Sequence, residues 1–166
     1  MTSERHDFIS ALDKHRGFLR YTVNGLNDEQ AARRTTVSEL CLGGLIKHVA
    51  AVEEQWCRFI EEGPAAFATM DADAYSAHAA TFRMEPGETL AAVLEHYDEV
   101  ANRTGDLVTS VPSLDADHPL PEAPWFEAGA RWSVRRALLH ILAETSQHAG
   151  HADVLREALD GQKTMG

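Results

Sequence analysis

The sequence predicts an all-α fold, a four-helix bundle with long connections between the second and third helices and between the third and fourth. Three observations carry this. Four segments repeat apolar residues at intervals of three and four, no segment alternates apolar and polar residues like a strand, and the connections after the second and third helices carry Gly and Pro. At 166 residues the chain has the length of one domain, residues 1–166, with no internal repeat. That is long enough to bury a hydrophobic core without staples.

The first helix is expected from Glu4 to Leu26, with Phe8, Leu12, Leu19 and Val23 along one side. "NGLNDEQAARRTT" then breaks the pattern. The second runs from Leu42 to Glu62 on the stripe Leu45, Val49, Val52, Trp56 and Phe59, and Gly63-Pro64 stops it. Residues 64–87 read as a long connection with short helical turns. The third helix covers Glu88 to Val111, with Leu90, Val93, Leu94, Tyr97, Ala101 and Leu107 inward, and Pro112 ends it. Pro112, Pro119, Pro121 and Pro124 exclude regular structure from the next connection. The fourth helix runs from Ser133 to Asp160, and Gly161 is suited to the left-handed position after its end.

Hydrophobic residues make up 44% of the chain, the level of an ordinary globular protein. The formal net charge of −11 offers no basic patch for a phosphate backbone, so nucleic acid is not an expected partner. No apolar run is long enough to cross a membrane, and "MTSERHDFIS" lacks the apolar core of a signal peptide. The expected location is the cytoplasm. Cys41 and Cys57 lack metal-knuckle spacing and read as reduced thiols.

Candidate chemistry concentrates in "HILAETSQHAGHAD". Each helical residue advances by about 100° around the axis, which places Glu144, His148 and His151 within about 80° of His140. Pairs at i and i+4 let one helix give two ligands to one ion, and His140/Glu144 and Glu144/His148 satisfy that equally. A further ligand must come from elsewhere. His48, beside the inward stripe of the second helix, is the best placed.

"SELCLGGLIKHVAAVEEQW" and, a hundred residues later, "RWSVRRALLHILAETSQHAGHADVLREALDG" resemble the DinB-like superfamily of four-helix metalloproteins. Within it the chain is most similar to the actinobacterial branch that includes mycothiol-dependent S-transferases. The superfamily carries one histidine on its second helix and H-x3-H on its last. The resemblance implies His48, Glu144 and His148 as metal ligands, with Glu144 standing where the wider family has its second histidine. His/Glu/His is similar to the triad of maleylpyruvate isomerase relatives. His140 falls one turn too early, and His151 matches a position that is often glutamine, which implies a pocket or outer role. Trp56 and Arg135 are further pocket candidates.

The activity implied is a metal-dependent S-transferase, in which a metal-held thiolate attacks an electrophilic small molecule. The thiol would be mycothiol. The ion would be zinc, with nickel, manganese or iron also compatible with His₂Glu. The residues alone leave two alternatives open: a non-enzymatic metal- or ligand-binding bundle, and a hydrolase using metal-activated water. Bundles of this kind pair through helix faces, so a homodimer is the assembly expected.

Overall fold

The structure, a computed structural model, describes residues 2–67 and 72–164. Residues 68–71, part of the connection expected over 64–87, lie outside the described residues, as do Met1 and residues 165–166. Among the described residues four long helices are present: α1 (Ser3–Tyr21), α3 (Leu42–Glu62), α5 (Leu90–Ser110) and α6 (Val134–Asp160). Two short helices, α2 (Asp28–Ala32) and α4 (Ala72–Ala80), lie in the connections, and a 3₁₀ turn over Gly63–Ala66 follows α3.

Local chemistry sets the ends. Thr89 and Ser133 cap α5 and α6 by accepting hydrogen bonds from the Ala92 and Arg136 nitrogens, satisfying amides that lack intrahelical partners. α2 opens with a reciprocal capping box between Asn27 and Gln30. Gly161 closes α6 at φ +81°, as its composition predicts. α1 stops at Tyr21, short of the expected Leu26, and a turn follows with Gly25 at φ +76°. The expectation that the Pro-rich connection holds no regular structure needs correction. Asp117–Pro119 (β1) pairs antiparallel with Arg131–Ser133 (β2), and Pro119 is tolerated because it sits at the end of a two-stranded ladder, where a missing donor is harmless.

The core has two apolar ends. One holds Leu19, Leu45, Val49, Val93, Tyr97 and Leu155, and the other Phe8, Leu12, Phe59, Val108, Leu138 and Ile141. The start of α3 therefore meets the start of α5 and the ends of α1 and α6. α3 and α5 run parallel, so the chain between them must return along the bundle, and α4 belongs to that crossover. Between the apolar ends lies a buried polar layer. Glu53 is fully buried, paired with Arg16 across the bundle and accepting from the Thr104 hydroxyl. Cys57 Sγ lies 3.2 Å from Thr104 Oγ1, and burial pushes this thiol up to about 12, which leaves it protonated and inert. Arg156, buried at the end of α6, donates to the Thr22 and Asn24 carbonyls at 2.8 and 3.0 Å and pairs with Asp160. No helix among the described residues is long and apolar enough to cross a membrane.

Candidate metal centre

α3 and α6 pack against each other, and where they face, His48 from α3 meets Glu144 and His148 from α6. One donor atom from each lies within 4.8 Å of the other two. His148 Nε2 is 3.5 Å from a Glu144 oxygen. An ion held at about 2.1 Å from three donors in tetrahedral geometry wants them about 3.4 Å apart, so small side-chain rotations suffice. His48 and His148 are buried, whereas Glu144 keeps about a quarter of its side chain exposed, so the group opens to solvent on the carboxylate side.

The electrostatics favour ligand forms. Burial lowers the His48 imidazole to about 3, helped by the neighbouring His148 and His78 rings. Burial lowers His148 too, with His151 adding to it. Both rings are therefore neutral near pH 7, and a neutral imidazole, not a cation, can donate to a metal. Each also has a polar partner on Nδ1: Thr81 Oγ1 at 2.9 Å for His48, and His151 Nδ1 at 3.3 Å for His148. Histidine ligands commonly engage their second nitrogen in this way.

Apolar rings border the group. Phe82 stacks on His48 with centroids 3.8 Å apart, and His78 stands edge-on to it at 5.3 Å. On the other side, His140 Nε2 lies 3.8 Å from Glu144, and its ring meets Trp56 and Trp132 edge-on at 4.8 and 5.3 Å. Trp56 and Trp132 stack 4.6 Å apart, an arrangement that β2 makes by presenting Trp132 to α3.

Of the residues expected from the sequence, the structure gathers His48, Glu144, His148 and His151, and connects Trp56 through His140. Arg135 is not brought to the group. Nine residues are two and a half turns, so Arg135 points away from the Glu144 face, about 13 Å along the axis. Its guanidinium pairs instead with Glu4 and Asp115. Sequence reasoning missed Thr81, Phe82 and His78. They arrive through the crossover, without a helical period to announce them. One signal was available in Gly43-Gly44. A methyl at Gly44 would overlap the Phe82 carbonyl and lie 2.7 Å from the Arg83 nitrogen, so only glycine lets the backbone after α4 settle on α3.

A family model described as Mycothiol-S-transferase matches residues 7–161 of the chain. No curated protein matches it.

Proposed function

The chain belongs to the mycothiol-S-transferase family, and from that premise we propose that it is a metal-dependent enzyme joining a low-molecular-weight thiol, mycothiol, to an electrophilic small molecule. The observation that carries the reading is the convergence of His48, Glu144 and His148 between α3 and α6. Two neutral imidazoles and a carboxylate are a set that zinc accepts, and that nickel, manganese or iron also accept. Three protein donors leave a coordination position for substrate, the arrangement of catalytic sites.

A free thiol with a pKa of about 8.5 is mostly protonated at pH 7, and a divalent ion at this site would hold it as the nucleophilic thiolate. The chain's own residues do the rest. His48 and His148 stay neutral and buried. Glu144 supplies the negative charge that balances part of the ion's. Phe82 borders the group, and the Trp56–Trp132 pair lies beyond His140, giving apolar surface against which an electrophile can lie. In the reaction the thiol gives its proton to solvent, sulfur forms a bond to the electrophilic carbon, and the leaving group departs.

A conjugation assay tests this. Zinc-loaded protein is given monobromobimane with mycothiol, and separately with cysteine, glutathione or coenzyme A. The expected result is thioether formation above the uncatalysed rate, fastest with mycothiol and lost on chelation. No rate above background with any thiol, with zinc bound, would leave a non-enzymatic binding bundle.

A further inference from the structure

We propose that Thr81, immediately after α4, is a positioning residue that fixes the tautomer of His48 and so makes Nε2 the donor atom of that ring. This deepens the metal-site reading above, but its first test needs no metal.

Proton counting fixes the direction of the contact. A hydroxyl has a single proton. Thr81 Oγ1 lies 2.6 Å from the His78 carbonyl oxygen, which only accepts, so the Thr81 proton is committed there. The 2.9 Å contact between Thr81 Oγ1 and His48 Nδ1 must then run the other way, with Nδ1–H donating to the hydroxyl oxygen. A neutral imidazole carries one N–H, so Nε2 is left with a bare lone pair. The corresponding contact on His148 is not decided in this way, because either ring of the His148–His151 pair can donate. Thr81 is thus the group whose chemistry permits one direction alone.

The hydroxyl is held in place from several sides. The Thr81 amide also donates to the His78 carbonyl, at 3.1 Å. The backbone that follows rests against Gly44, and Lys47 reaches the Arg83 carbonyl at 3.4 Å. Phe82, stacked on the His48 face, stops the ring from swinging out of the bond. The crossover, which the sequence reads as a connection, therefore supplies the outer half of the ligand environment.

The experiment compares wild type with Thr81→Val, which keeps the shape and removes the hydroxyl, and Thr81→Ser, which keeps the hydroxyl. In chelator-treated protein near neutral pH, the ring nitrogen shifts of ¹⁵N-labelled histidine report which nitrogen of His48 is protonated. Wild type and Thr81→Ser are expected to show Nδ1–H, and Thr81→Val to shift toward Nε2–H. Zinc affinity, read by competition with a chromophoric chelator, is expected to fall about 10- to 100-fold in Thr81→Val and to stay within about threefold in Thr81→Ser. Nε2–H in wild type overturns the proposal. So does Thr81→Val keeping Nδ1–H, or Thr81→Ser losing as much affinity as Thr81→Val. A tautomer change without zinc binding by wild type supports the role of Thr81 and refutes the metal-site reading.

Discussion

Adding a methyl at Gly44 sets two effects of opposite sign against each other. Glycine inside a helix is less favourable than alanine by about 1 kcal/mol, so propensity alone makes Gly44→Ala stabilising. The structure predicts the reverse. The new Cβ would overlap the Phe82 carbonyl and sit 2.7 Å from the Arg83 nitrogen, and these are backbone atoms, not the movable end of a side chain. Overpacking by one carbon typically costs about 1–3 kcal/mol, and a backbone obstacle puts this site in the upper half of that range. The net expectation is a loss of about 1–2 kcal/mol. Gly105, within α5, is the control, because nothing lies within 4 Å of a Cβ there. Gly105→Ala should gain about 1 kcal/mol. For a chain of this size each kcal/mol moves the melting temperature by about 2–4 °C. Thermal unfolding followed by circular dichroism should then show Gly44→Ala about 2–8 °C below wild type and Gly105→Ala about 2–4 °C above it. If Gly44→Ala melts above wild type as Gly105→Ala does, the crossover does not rest on α3, and the placement of Thr81 and Phe82 beside His48 loses its support.

Arg16→Met would leave Glu53 charged and fully buried without its cation, and a loss of about 3–5 kcal/mol is expected in urea unfolding. The Arg16→Met, Glu53→Leu double variant should regain most of it; a single variant within about 1 kcal/mol of wild type would show that the pair is not buried as described. Metal-free protein should also lose stability on acidification. His48 stays neutral in the fold down to about pH 3, while the unfolded imidazole takes up a proton near 6.5, so the unfolded state gains. Below pH 6.5 the contribution of His48 is a loss of about 1.4 kcal/mol per pH unit, and His48→Gln should remove that part of the slope. An unchanged slope in the variant would place His48 in a solvated, titrating position.

The helices were legible because burial imposes a period. Phe8, Leu12 and Leu19, or Leu90, Val93 and Tyr97, recur at intervals that only a helix turns to one side. Gly161 marked the end of α6 by its conformational preference. β1 and β2 were not legible, since prolines normally signal irregular chain and a three-residue ladder carries no alternation to detect. Glu53 was missed for a related reason. A carboxylate is read as solvent-facing, and its burial depends on Arg16 and Thr104, which lie on other helices. At the candidate site, spacing placed Glu144, His148 and His151 on one face but left His140 on equal terms with them. The tie has a physical basis, for His140 lies 3.8 Å from one Glu144 oxygen and His148 3.5 Å from the other. The choice of His48 as the companion came from its position beside the inward stripe and from the family resemblance. Thr81, Phe82 and His78 depend on where a crossover settles, which no local pattern encodes.

Metal content reads the His48, Glu144 and His148 site itself. Wild type, His48→Ala and His148→Ala are equilibrated with excess zinc, passed through a desalting column and analysed for metal by mass spectrometry. About one zinc per wild-type chain and little in either variant is expected, since losing one of three donors removes a catalytic-type site. Equal zinc in all three proteins, or none in wild type, would contradict it.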